Sequence, residues 1–122
     1  MQDFFLNHPN NKITPTISTE ILGNSSSLNF HRNLRNYNCA PLVSLKSLAK
    51  ELKFNNLFVK DESERFGLNA FKVLGASYAI HHLLNTESDI TTFCTATDGN
   101  HGRAVAWSAR EENKKCVVYV PE

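Results

Sequence analysis

From Pro41 onward, helix-type and strand-type hydrophobic patterns alternate along the chain, and this alternation limits the possible folds. Three stretches have apolar residues at helical spacing, at about residues 44–53, 69–84 and 103–112. Three short apolar runs are predicted strands, at residues 56–60, 90–96 and 116–120. Strands that alternate with helices imply right-handed crossovers and a mostly parallel sheet. The sequence therefore predicts an α/β fold with an open parallel sheet.

The first part of the chain has a different character. Residues 1–36 are polar and poorly patterned, so we interpret them as a lead-in to a domain formed by residues 37–122. Asn10-Asn11 and the run Gly23–Ser27 have loop composition. The one element expected in the lead-in is a short helix across Leu28–Leu34.

Charge and cysteine content exclude several classes of protein. The chain has 13 Lys plus Arg and 12 Asp plus Glu, and this balance argues against binding of nucleic acid or a membrane surface by bulk charge. No run approaches the length of a membrane span, and the amino terminus lacks the features of a signal peptide. Cys39, Cys94 and Cys116 lack paired metal-type spacing, so they are predicted reduced thiols and no zinc site is expected. We expect a cytoplasmic protein.

Lys72 is the first candidate for chemistry, because it lies in the otherwise apolar segment Ala70–Ile80. A helix that is apolar all round belongs in a core. A lysine there loses its hydration and is pushed toward the neutral amine, which is a nucleophile and a base. If Asn69 is the N-cap, Lys72 lies in the first turn, where the helix dipole also disfavours a cation. The alternative is that the ammonium group reaches water along its own stem.

The run Thr97–Gly102 is the second candidate, because it lies between a predicted strand and a predicted helix. Ligands of open α/β sheets bind at this edge, and unpaired amides at a helix start favour a carboxylate or a phosphate. Burial beside such an anion would favour protonation of Asp98, as a general acid or base requires. Asn100 can donate and accept, and His101 could titrate, although a histidine at a helix start is more often a capping or packing residue. The alternative is an ordinary turn capped by Asp98 or Asn100.

Together these segments resemble a known family. The resemblance is carried by three strings, which are Lys60–Ser63, Phe66–Tyr78 and Ala96–Arg103. They resemble the diaminopropionate ammonia-lyases, which are fold-type-II pyridoxal-phosphate enzymes related to threonine and serine dehydratases and to the tryptophan synthase β subunit. The resemblance extends from about Tyr37 to Pro121. Dehydratases usually have Ser-Phe-Lys and Ser-Gly-Asn-His, so Asn69-Ala70 and Asp98 favour the ammonia-lyase branch.

The resemblance implies a tryptophan synthase β-like fold and pyridoxal 5'-phosphate as cofactor. The implied reaction is α,β-elimination of the small amino acid 2,3-diaminopropionate to pyruvate and ammonia. Lys72 would hold the cofactor covalently, Phe71 would help to seat its ring, and Asn100 would hydrogen-bond its phenolic oxygen. Lys72 and Asp98 would be the two bases, which suits a family that acts on both substrate enantiomers. The substrate carboxylate would be bound by the loop residues Thr97, Asp98, Gly99, Asn100 and His101.

The chain also departs from the family pattern. Members of this family are several times longer, so the sheet is expected to be incomplete. The resemblance supplies no counterpart for the glycine-rich loop that grips the cofactor phosphate or for the residue opposite the pyridine nitrogen. We therefore expect an amino-terminal fragment, inactive alone, of a homodimeric parent. The alternatives are a lyase of the serine/threonine dehydratase type and a non-catalytic remnant or binding module.

Overall fold

The computed structural model describes residues Ser25–Pro121, so the predicted loop at Asn10-Asn11 lies outside the described residues. The helices are α1 (Ser26–Asn33), α2 (Lys46–Glu51), α3 (Lys72–Thr86) and α4 (Asn100–Glu111). The strands are β1 (Leu42–Ser44), β2 (Phe58–Lys60), β3 (Thr92–Ala96) and β4 (Lys115–Tyr119), and a 3-10 turn covers Arg65–Gly67. In this part of the chain, no helix is long and apolar enough to cross a membrane.

The strands form two separate pairs. β3 and β4 are parallel, with Thr92 opposite Lys115 and Ala96 opposite Tyr119, and α4 connects them. This pair confirms the predicted parallel pairing and the α/β class. β1 and β2 are instead antiparallel, with Leu42 opposite Lys60, and this pairing was not predicted. A three-residue strand next to a helical pattern shows no period of two, so β1 carries no strand signal of its own.

The core lies where α3 packs on α4. It consists of Val73, Ala76 and Ile80 from α3 with Ala104 and Val105 from α4. The alanine side chains of Ala76 and Ala104 are small enough to let the two helices approach closely. The buried hydroxyl of Ser108 donates to the carbonyl of Ala104 at 2.7 Å, so this polar group is satisfied within its own helix.

The structure corrects the sequence-based interpretation of α3. The helix begins at Lys72, with Phe71 as N-cap, and not at Asn69. Asn69 has a φ of 57° and is not a cap. The buried residues of α3 form one stripe, Val73, Ala76, Ser77 and Ile80, whereas Gly75 and Ala79 are exposed. The prediction of a helix buried on all sides is therefore wrong, because small residues on its outer face imitate a core pattern in the sequence.

The short helix α1 confirms the element predicted across Leu28–Leu34, although it begins two residues earlier. It packs on α3. His31 Nε2 lies 2.7 Å from the carbonyl oxygen of Leu74, and Nε2 carries the proton because a carbonyl only accepts. The Phe30 ring lies 4.6 Å from the ring of His81 and 5.5 Å from that of Tyr78. Part of the lead-in is thus attached to the helix that carries Lys72.

Candidate active site

The loop after β3 lies at the carboxyl edge of the parallel strand pair, as predicted. The N–H of Thr97 donates to the carbonyl of Tyr119 at 2.9 Å, so the strand ladder continues for one residue beyond β3. α4 then begins at Asn100, with Gly99 as its N-cap. The first amides of α4 therefore open toward the edge at which α/β sheets bind ligands.

Gly102 allows α4 to start close against this edge. A Cβ atom built on Gly102 would lie 2.8 Å from Cγ2 of Thr97 and 2.9 Å from Cγ1 of Val118. Real Cβ contacts are longer than this, so any side chain at this position would push α4 away from the loop and from β4. The glycine thus holds the start of the helix against the loop.

Replacing Gly102 with alanine is expected to lower the free energy of unfolding by about 1–3 kcal/mol, because the added methyl group overpacks a closed contact. Gly75 of α3 is the matched control, since a Cβ there would meet nothing within 4 Å. Gly75→Ala is expected to stabilise by about 1 kcal/mol through helix propensity alone. Urea unfolding followed by circular dichroism measures both. Equal effects of the two substitutions would contradict the close contact at Gly102.

The loop is shorter than predicted, because Asn100, His101 and Gly102 form the first turn of α4. The polar side chains of the loop and of this first turn are available to a ligand. Asp98, Asn100 and His101 are exposed, and within residues 25–121 their side chains make no hydrogen bond or ion pair. Arg103 lines an open groove together with Thr97, Asp98 and Gly99. Arg103 was not among the candidate residues predicted from the sequence. The sequence did contain a signal for Arg103, because it directly follows the run Thr97–Gly102. A cation in the first part of that helix suits an anionic ligand.

Lys72 is the first residue of α3 and is exposed, as is Phe71, which is 62% exposed. The prediction that the helix buries Lys72 is wrong for the described residues. Consecutive residues of a helix are about 100° apart, so a buried stripe that begins at Val73 leaves Lys72 outside it. Among the described residues the Lys72 amine has no hydrogen bond or ion pair, either with the loop or elsewhere. The two candidate segments are connected indirectly, because Val73 and Ala104 share one core cluster.

Arg65 lies seven residues before Lys72 in the sequence and is the one buried charged residue in the part of the chain that the structure describes. It was not among the residues predicted from the sequence. It is only 8% exposed. Its Nε and Nη2 donate to the two carboxylate oxygens of Glu62 at 2.6 and 3.1 Å, and Nη1 donates to the carbonyl of Asn38 at 2.6 Å. Because Arg65 donates to it, the pKa of the Glu62 carboxyl lies below its ordinary value, and the same hydrogen bonds raise the pKa of Arg65. The spacing Glu62-x-x-Arg65 could have indicated an ion pair between these two residues in a helical turn.

Comparison with known proteins identifies the class. The family described as pyridoxal-phosphate dependent enzyme matches residues 34–122, and the chain belongs to this family. It is 42% identical to diaminopropionate ammonia-lyase of Escherichia coli over 110 residues, which cover 76% of this chain and 28% of the relative. It is 33% identical over 90 residues to the biosynthetic L-threonine dehydratase of Haemophilus influenzae, covering 72% of this chain and 17% of that one. The chain thus spans little more than a quarter of the first relative.

A solved structure agrees with this assignment. The crystal structure of the Escherichia coli ammonia-lyase in complex with an aminoacrylate–pyridoxal-phosphate azomethine reaction intermediate superposes with a TM-score of 0.76 at 42% identity. The match covers 79% of this chain and 28% of that one. The fold-type-II architecture and the pyridoxal-phosphate cofactor inferred from the resemblance are confirmed.

The donors present fit one end of this cofactor. Pyridoxal phosphate carries an aldehyde beside a phenolic oxygen. The Lys72 amine is a primary amine without a partner in the described residues, and the Asn100 side chain is an amide with a free donor. These are the groups that an aldehyde and a phenolic oxygen require.

Proposed function

We propose that this chain supplies the lysine and the substrate loop of a diaminopropionate ammonia-lyase, which eliminates ammonia from 2,3-diaminopropionate to give pyruvate. The observation that carries the proposal is the 42% identity to the Escherichia coli enzyme over 76% of this chain. The family match to residues 34–122 contains both candidate segments. We further propose that the complete enzyme is a cytoplasmic homodimer, as the resemblance implies.

Each candidate residue has a distinct task. The cofactor, when bound, withdraws electrons from the α-carbon of the substrate as a proton leaves. Lys72 would hold the cofactor through its Nζ, and that amine would accept the α-proton of one enantiomer. The Asp98 carboxylate would accept the α-proton of the other enantiomer. The Asn100 amide would donate to the phenolic oxygen, and Phe71 would lie against the ring.

The loop would orient the substrate. The amides that open α4 favour a carboxylate, and the exposed Arg103 in the same groove adds positive charge. Thr97, Gly99 and His101 would border this position. Binding the carboxylate here would direct the α-carbon toward the two bases and leave the amino group free for the cofactor.

A lyase of the serine/threonine dehydratase type is the second candidate, supported by the 33% identity to the Haemophilus influenzae enzyme. The two candidates differ in the group that leaves the β-carbon, which is an amine in diaminopropionate and a hydroxyl in serine or threonine. Asp98 favours the first candidate, because the dehydratases usually have Ser-Gly-Asn-His here.

A hybrid enzyme tests the proposal. In it, residues 37–122 of this chain replace the matching segment of the Escherichia coli ammonia-lyase, and the unmodified enzyme is the control. We expect pyruvate formation from diaminopropionate to exceed keto-acid formation from serine and threonine. Preference for a hydroxy amino acid would favour the dehydratase. A hybrid that binds the cofactor but releases no product would favour a non-catalytic remnant. The 122-residue chain alone is expected to be inactive, and turnover by it would contradict the need for the remaining parts.

A further inference from the structure

The turn before α3 has an unusual backbone. Phe66, Gly67 and Asn69 have φ angles of 50°, 69° and 57°. A residue with a side chain pays about 1–2 kcal/mol to adopt this left-handed region, and a phenylalanine has no local hydrogen bond to offset the cost. Such conformations persist where the surrounding structure determines them, and they cluster at functional sites. This turn leads directly into Lys72.

The Arg65 guanidinium connects this turn to a distant part of the chain. Its fork to Glu62 closes the loop on one side, and its bond to the Asn38 carbonyl crosses 27 positions of sequence. The guanidinium carbon also lies 5.5 Å from the centre of the Tyr37 ring and 5.9 Å from that of Phe66. All three of its nitrogens donate a hydrogen bond, and its flat face lies near two aromatic rings, so the guanidinium contacts groups on several sides.

The turn is also fixed to α4. The Phe66 ring lies 4.9 Å from the ring of Trp107. Phe66 therefore packs on the helix that follows the substrate loop, while Arg65 beside it is held to residues 37–38. If Phe66 relaxed to a right-handed conformation, its ring would leave Trp107 and the chain direction into α3 would change.

We propose that Arg65 is a positioning residue, which holds the turn that contains the left-handed residues Phe66, Gly67 and Asn69. It thereby sets where α3 begins and where Lys72 lies. The proposal rests on the role of Lys72 in the proposed function. This positioning role requires an arginine at residue 65. A lysine carries the charge but cannot make the two-oxygen fork to Glu62 and reach the Asn38 carbonyl together, nor stack a flat cation on Tyr37.

The test uses the 122-residue chain with Arg65→Lys, and with Arg110→Lys as the matched control. Arg110 is also paired with a glutamate, at 3.9 Å, but its side chain is 73% exposed. Backbone ¹³C chemical shifts of Phe66 and Asn69 report the sign of φ. Reaction with pyridoxal phosphate, borohydride reduction and peptide mass mapping give the ratio of modified Lys72 to modified Lys50, an exposed lysine of α2.

We expect Arg65→Lys to lose the left-handed shifts and to lower the Lys72-to-Lys50 ratio about tenfold, the factor that one charge-assisted hydrogen bond is worth. Arg110→Lys should leave both unchanged. Unchanged shifts and ratio in Arg65→Lys, or equal changes in the control, would overturn the proposal. Lost shifts without preferential labelling of Lys72 in the wild type would show that the turn gives Lys72 no positional advantage, and would overturn that half of the proposal while the hold of Arg65 on the turn stays supported.

A second variant covers the case in which Arg65→Lys unfolds, which loss of the dispersed Trp107 resonances would reveal. Glu62→Gln keeps Arg65 and its bond to Asn38 but removes the negative charge of the fork. With the fold intact, it is expected to move the Phe66 shifts and the labelling ratio in the same direction by a smaller factor. No movement in Glu62→Gln would overturn the proposal.

Discussion

Lys72→Ala is expected to abolish covalent attachment of pyridoxal phosphate in the hybrid enzyme. Only an amine can condense with the aldehyde, and alanine removes it. Lys60, the nearest lysine earlier in the sequence, is no substitute, because its Nζ already donates to the Ala40 carbonyl at 2.6 Å. The measurements are the cofactor absorption band and the mass of the borohydride-reduced peptide. Lys50→Ala serves as the control and should keep both signals.

An unchanged band in Lys72→Ala would remove this residue from the cofactor site. The prediction no longer depends on burial, since Lys72 is exposed in residues 25–121. It depends on the motif and on the position of the amine at the start of α3. Groups that strip water from the amine would have to come from outside the described residues. In the 122-residue chain, we therefore expect Lys72 to exceed the exposed Lys50 in reactivity only through the position that the turn before it imposes.

Asp98→Asn in the hybrid enzyme is expected to keep the cofactor bound and to lower the turnover of one enantiomer of diaminopropionate by about 10²–10⁴-fold, the usual contribution of a positioned base. Asparagine has nearly the same shape as aspartate but cannot accept the α-proton. The other enantiomer should be much less affected, because Lys72 would serve as its base. Pyruvate release from the D- and L-substrates measures the effect.

Asp89→Asn is the matched control, since Asp89 is an exposed aspartate outside the loop, and its carboxylate accepts a hydrogen bond from Ser88 at 3.3 Å. It should leave both rates unchanged. An equal loss for both enantiomers, or no loss in Asp98→Asn, would remove Asp98 from its role as the base for one of them. Loss of the cofactor would instead indicate that Asp98 maintains the site.

The carboxyl half of the described chain could be predicted well from its sequence. β3 and β4 each lie within two residues of the predicted strands, and α4 begins three residues before the predicted start. These elements carry their signal locally, as apolar runs or as a periodic stripe. The place of the segment from Thr97 to Gly102 could be predicted once its flanking elements were recognised, because a βα connection fixes where the chain leaves the strand. Its last three residues belong to α4 and not to the loop.

Features that depend on distant partners could not be predicted in this way. Arg65 binds the Asn38 carbonyl, which no local pattern reveals. Asn69 looked like a helix cap, although the turn before it forces a left-handed conformation. The burial of α3 was overestimated. Burial depends on how many elements pack around a helix, and the small residues of α3 do not reveal how many there are.

The β3–α4–β4 unit has a consequence for the order of folding. Its parallel pair is closed by a single crossover, so little chain entropy is lost before its contacts form. Docking of α1 is different, since the contacts of His31 with Leu74 and of Ser26 with Tyr78 join residues 43 and 52 positions apart. We therefore expect the strand–helix–strand unit to acquire amide-exchange protection early during refolding and α1 to become protected late.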